Sequence, residues 1–195
     1  NMKFFRKLYD WALLNSEHPK AKWFLSIIAF TESSFFPIPP DIILIPMIIA
    51  KRAKAFYYAL ICTFSSVLGG ILGYCIGYFF YNSIGFLIIN SYNLTDKFDL
   101  FEKYYFQYGI WIILGAGFTP FPFKFITIAS GLFGFNIFLF TGVSIIARGL
   151  RFYLIAILFK VFGNSVKTII EKYFNTLTLA FFILLIGSIV ILNIL

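Results

Sequence analysis

The chain has 195 residues, 61% of them hydrophobic and 12% charged, with mean hydropathy +0.90 and formal net charge +8. A soluble domain averages roughly 45–50% apolar and about 25% charged residues, so a water-facing fold cannot hide this much apolar surface and lipid is the expected solvent. The basic residues flank apolar runs and form no soluble basic face, which excludes nucleic acid as a partner.

Residues 1–22 alternate Phe4, Phe5, Leu8, Trp11 and Leu14 with Lys3, Arg6, Lys7, Lys20 and Lys22. This pattern predicts an amphipathic helix lying on the membrane surface. No small-residue cleavage site follows it, so it does not read as a secretory signal. Trp23–Thr31 is a nine-residue apolar run. At about 1.5 Å per residue it reaches roughly half of a ~30 Å hydrocarbon core. Pro37, Pro39 and Pro40 then forbid a continuous helix. Ile42–Ala50 is a second half-length run, and Lys51, Arg52 and Lys54 form a basic turn.

Residues 55–82 make a full span, with Gly69, Gly73 and Gly77 four apart as a stripe against which another helix can pack closely. A mixed connector follows, and Leu94–Tyr108 reads as a second surface helix. The order then recurs. Ile110–Phe118 and Phe125–Phe133 are nine-residue apolar runs around a break at Pro120 and Pro122, and a full span covers 137–160. Residues 176–195 form a C-terminal transmembrane helix. Basic loops decide how the broken pairs run. If 23–50 and 109–134 each enter and return on their own side, every basic loop lies on the cytoplasmic side with the N-terminus. The expected fold is therefore all-α integral membrane: two inverted repeats, each a re-entrant hairpin plus a full transmembrane helix, forming one domain over 23–161.

Five ionisable residues lie at predicted membrane depth: Glu32, Asp41, Lys124, Arg148 and Arg151. A charge at the bilayer centre costs about 2.5–3.5 kcal/mol on insertion scales, so these residues must pair, meet water or lose their charge. Glu32 and Asp41 bracket the first break, Lys124 closes the second, and Arg148 and Arg151 share a helix face with Thr141 and Ser144. Lys124, Arg148 and Arg151 suit a phosphate, which arginine meets as a planar fork and lysine as a point charge. Glu32 and Asp41 suit charge balance in the empty site, or proton coupling. Plain ion pairing is an equal alternative for Asp41, and a snorkelling position for Lys124. The prolines read as helix-break architecture and the glycines as helix packing. Cys62 and Cys75 read as small buried hydrophobes, and no metal site or cofactor is expected. Ser33, Ser34 and Asp41 form no nucleophile–base pair, so no catalytic residue is assigned and the chain is not expected to be an enzyme.

These residues together resemble the DedA family, also called the SNARE-associated Golgi or VTT domain family, and its YqaA-like branch in particular. The features that carry the resemblance are Glu32 with Pro37-Ile38-Pro39-Pro40-Asp41, the glycine-rich span through Gly77-Tyr78, Phe118-Thr119-Pro120 with Lys124, Ala129-Ser130-Gly131, and Ala147-Arg148-Gly149-Leu150-Arg151-Phe152-Tyr153. The resemblance implies re-entrant helices in inverted repeats and facilitated or proton-linked lipid flipping or scrambling. Implied substrates are membrane lipids such as polyprenyl phosphate or a phospholipid, and the implied location is a bacterial inner membrane. The family's acidic pair falls on Glu32 and Asp41 and its basic pair on Phe118 and Lys124. Phe118 is not basic, and Arg148 or Arg151 is expected to supply that charge. A proton-coupled carrier of a small soluble anion and a non-transporting assembly protein are the alternatives. Oligomeric state is left open.

Overall fold

The computed structural model describes residues 20–36, 38–81, 83, 95–119 and 121–163. Among them every regular element is helical: α1 (Ala21–Ser34), α2 (Asp41–Ala50), a 3-10 turn (Arg52–Lys54), α3 (Ala55–Phe80), α4 (Thr95–Phe118), α5 (Phe123–Leu132) and α6 (137–163). The expected surface helix over 1–22 and the C-terminal helix over 176–195 lie outside the described residues, apart from Lys20, which caps α1, and Ala21 and Lys22, which begin it. Pro37 and Pro120 also lie outside them.

The helix breaks follow from proline. Pro40 (φ −65°) immediately precedes α2 and Pro122 (φ −64°) immediately precedes α5. A residue with fixed φ and no N–H suits a helix start, where that donor would be orphaned anyway. Between α5 and α6 the chain turns through Gly134 at φ 62°, which glycine adopts without a side-chain clash. Asn136 Oδ1 then accepts the free N–H groups of Phe138 and Leu139, both at 3.0 Å, and caps α6. One expectation is corrected. The described part of the expected Leu94–Tyr108 helix and the Ile110–Phe118 run are not separate pieces but one helix, α4 (Thr95–Phe118). Only Gly109 lies between them. A single glycine costs a helix about 1 kcal/mol and does not break it, and here Phe135 packs against it.

Contact order along the chain sets the helix directions. α1 meets the first half of α3, with Ser26 Oγ 2.6 Å from Ser65 Oγ and Ser34 Oγ donating to the Gly69 carbonyl at 2.9 Å. α5 meets the second half, with Thr127 at Gly70 and Gly73, Gly131 at Tyr74, and Ile128 at Gly77. Positions rise together in both pairs, so α1 and α5 run parallel to α3. α6 runs the other way, from Phe140 beside Tyr74 through Arg148 at Ser66 to Gly163 at Arg52. α4 follows α6 in direction, with Gly109 at Phe135 and Gly117 at Ala147. α2 does the same, with Asp41 at Arg151 and Arg52, just beyond it, at Gly163. Each broken pair, α1–α2 and α4–α5, therefore folds back on itself.

Two apolar cores result. One joins α1, α2, the start of α3 and the end of α6, through Leu25, Ile43, Met47, Ala59 and Phe152. The other joins Tyr74, α4, α5 and the start of α6, through Ile113, Phe123, Phe135 and Phe140. The opposite faces expose large apolar side chains. On α3 the buried glycines are backed by exposed Phe64, Leu68, Leu72 and Ile76. The stretch Arg52–Phe80 is long and apolar enough to cross a membrane, by length and composition.

The glycine stripe is a packing seam, as its spacing predicts. A Cβ at Gly69 would overlap the Phe30 carbonyl, and one at Gly77 the Ile128 carbonyl. Gly69→Ala and Gly77→Ala should each lower stability by about 1–3 kcal/mol in thermal unfolding of the purified protein, because backbone must move. Gly142, with open space around its Cβ position, should accept alanine with no loss or a gain of up to about 1 kcal/mol.

Candidate functional site

The site forms where the two chain breaks meet against the middle of α6. α1 and α5 lie nearly end to end along α3, so the C-terminus of one faces the N-terminus of the other. Thr127 Oγ1 donates to the Ser33 carbonyl at 3.0 Å, and Lys124 Nζ donates to the Phe35 carbonyl at 3.4 Å. Both acceptors are carbonyls that a terminating helix leaves without intrahelical partners.

Arg148, on α6, is 1% exposed and is the largest fully buried side chain among the described residues. Its Nη2 pairs with Glu32 Oε2 at 2.5 Å and reaches Ser33 Oγ at 3.4 Å, while its Nε donates to Ser66 Oγ at 2.6 Å. Ser33 Oγ lies 2.6 Å from Ser66 Oγ and donates to Glu32 Oε2 at 3.1 Å, closing the network. The rings of Phe123 and Phe152 lie 5.1 and 4.8 Å from the guanidinium carbon. One ring belongs to each apolar core, so the guanidinium sits on the seam between them. A buried charge is tolerated only when it is paired and its remaining donors are satisfied. Here the charge is paired by Glu32 of α1, and Nε and Nη2 find further partners in Ser66 of α3 and Ser33 of α1.

One helical turn on, Arg151 Nη2 pairs with Asp41 Oδ2 at 2.5 Å, and Nη1 donates to the carbonyl of Thr119. Arg151 therefore joins the first residue of α2 to the residue just after α4. Its side chain and that of Asp41 are 11% and 19% exposed. Asp41 Oδ1 is buried without a hydrogen-bond partner, as is Ser144 Oγ.

The sequence-predicted residues are thus largely brought together. Glu32, Asp41, Arg148 and Arg151 form two ion pairs at the junction of the breaks, and Lys124 reaches across from the second break to the first. Lys124 is half-buried, also lying 5.4 Å from the Phe125 ring. Phe118 is exposed. The Arg151 guanidinium bonds the carbonyl of its neighbour Thr119 and so brings positive charge to that break. Thr141 bonds only its own helix, at the Ile137 carbonyl. Sequence reasoning missed Ser66 and Thr127. Two adjacent serines, Ser65 and Ser66, inside an apolar span were the available signal for the first, and Thr127 in the otherwise apolar 125–128 stretch for the second.

Ser66→Ala removes the partner of a fully buried guanidinium nitrogen, whereas Ser65→Ala removes only a neutral, partly buried contact with Ser26. The first should destabilise by about 1–3 kcal/mol and the second by about 0.5–1.5 kcal/mol, in chemical or thermal unfolding. Equal losses would contradict the pinned-guanidinium geometry.

No family model and no solved structure significantly matches the chain. An uncharacterized protein of Haemophilus influenzae is 34% identical over 155 residues, covering 80% of each chain. An uncharacterized protein of Histophilus somni is 31% identical over 154 residues, 79% of this chain and 80% of that one. The chain belongs to the family of these Haemophilus and Histophilus proteins.

Proposed function

We propose that the protein is an integral membrane transporter of DedA type that moves a phosphate-bearing lipid headgroup across a bacterial inner membrane. The observation that carries this reading is the meeting of two broken helical hairpins at buried acid–arginine pairs. Irregular backbone at membrane depth is tolerated only inside protein or around a cavity, and transporters place substrate sites at such junctions. Half-helix ends with arginines beside them are an anion-binding chemistry.

Three further features support the reading. Trp23, Phe64, Phe79, Trp111 and Phe138 are each at least 65% exposed, on four helices whose outer faces would be costly in water and are at ease in lipid. Lys51, Arg52, Lys54 and Lys160 gather where α3 begins and α6 ends, while Asp99, Glu102 and Lys103 lie at the other end of the bundle, a polarity that matches the positive-inside rule. The two halves also correspond in order. A hairpin precedes a long helix in each, and the halves run in opposite directions. Ser66 is the twelfth residue of α3 and Arg148 the twelfth of α6. Inverted repeats of this kind allow one hairpin to rock against the other around a fixed site.

In the empty state the carboxylates of Glu32 and Asp41 balance Arg148 and Arg151. A headgroup phosphate brings its own negative charge, so its entry requires an acid to leave or take up a proton. This links lipid movement to protons.

Purified protein in vesicles should move labelled phospholipid or polyprenyl phosphate between leaflets, and Arg148→Ala and Glu32→Gln should abolish this while the protein still folds. Full activity in both variants would remove the site assignment. Flux of a soluble anion driven by a pH gradient, with no lipid movement, would replace the lipid reading with that of a small-anion carrier.

A further inference from the structure

The two arginines stand one helical turn apart with the same kind of partner, yet their surroundings differ in every respect that governs exchange. Arg148 is closed in. Its donors meet Glu32, Ser33 and Ser66, aromatic rings lie against it from α5 and from α6 itself, and 1% of its side chain is exposed. With its Nε and Nη2 donors taken and almost none of its side chain exposed, Arg148 offers an incoming oxyanion little room to approach. Arg151 is held at its edge by one carboxylate oxygen and one backbone carbonyl, both belonging to the chain breaks. Its pair is the more exposed of the two, and the second oxygen of its acid, Asp41 Oδ1, has no partner.

From this contrast we infer that Arg151 and Asp41 are the exchanging pair, in which a phosphate oxyanion displaces the Asp41 carboxylate from the Arg151 guanidinium, and that Arg148 and Glu32 are positioning residues that never release each other. The inference rests on the anion-transport reading and divides its site in two. Asp41 holds the arginine in the empty state and competes with the ligand for it. As the phosphate takes the guanidinium edge, Asp41 leaves it and takes a proton from the water at the open side of the pair. One negative charge replaces another on Arg151 and the local charge is unchanged. The charged and titratable groups that interact with Asp41 are Arg151 and Arg148 of α6 and Cys62 of α3. Only Arg151 is in direct contact with it. The Thr119 carbonyl stays on Arg151 throughout, so the guanidinium remains oriented while its other edge changes partner.

The exchange has an unusual consequence: removing the acid should improve binding. The test is titration of the purified full chain with dihexanoyl phosphatidic acid and, separately, with inorganic phosphate, read as protection in thermal unfolding. Asp41→Asn, or Asp41→Ser if the asparagine variant is unstable, should lower the half-saturating concentration roughly five- to tenfold, since a competitor worth about 1 kcal/mol is gone. Arg151→Gln should raise it at least about tenfold. Glu32→Gln should lower the unfolding temperature without tightening the probe. Tightening by Glu32→Gln and not by Asp41→Asn would overturn the assignment, as would a wild-type chain that binds neither probe. Tightening by Asp41→Asn with inorganic phosphate alone would uphold the exchanging pair while removing the lipid from the transport reading. Lipid flipping that continues in Arg151→Gln would overturn the pair and leave the transport reading in place.

Discussion

A guanidinium that almost no solvent reaches must find its counter-charge and its hydrogen-bond partners inside the fold. For Arg148 this requirement fixes much of the arrangement around it. α1 must reach the point where Glu32 and Ser33 face α6. α3 must lie close enough to α1 to offer Ser66, which its glycine stripe permits by letting the Phe30 carbonyl rest where a side chain would otherwise be. α5 must bring Phe123 to the guanidinium. Three helices and both apolar cores therefore converge on one side chain. Removing it leaves Glu32 as an uncompensated buried charge.

The same geometry explains why the breaks stand where they do. A continuous helix through Pro39 and Pro40 would carry α1 past Arg148 and leave no second helix start to present Asp41. With the break, the first hairpin offers one acid from a helix end and another from a helix beginning. Each meets its own arginine. The second hairpin contributes a carbonyl, at Thr119, and a cation, Lys124, to the same junction. The ends of these short helices, held by α6, form a polar interior, while the described residues expose many large apolar side chains.

Much of this was legible in the residues. Prolines in apolar runs forecast the breaks, and charges in hydrophobic surroundings forecast that Glu32, Asp41, Arg148 and Arg151 would find partners. Each inference rested on an expense too large to leave unmet: a missing backbone donor or an unpaired buried charge. What was not legible was governed by smaller energies. A glycine inside α4 signals a boundary by composition but costs too little to make one, so the helix runs through Gly109. Ser66 and Thr127 are single hydroxyls in apolar helices, where a serine or threonine often bonds only its own backbone, and only the folded neighbours reveal a partner on another element. The inequality of the two arginines was also hidden, because Phe123 and Phe152 are ordinary members of an apolar pattern until they are seen against Arg148.

The Arg148–Glu32 pair holds the junction as a unit. A double-mutant cycle on unfolding free energy, with Glu32→Gln, Arg148→Met and the two combined, measures this directly. Each single change should cost about 3–5 kcal/mol by leaving its partner buried and unpaired. The combined change should cost well under their sum, with a coupling of about 2 kcal/mol or more. Losses that simply add would show that the two charges do not sense each other, and the junction would then need a different foundation.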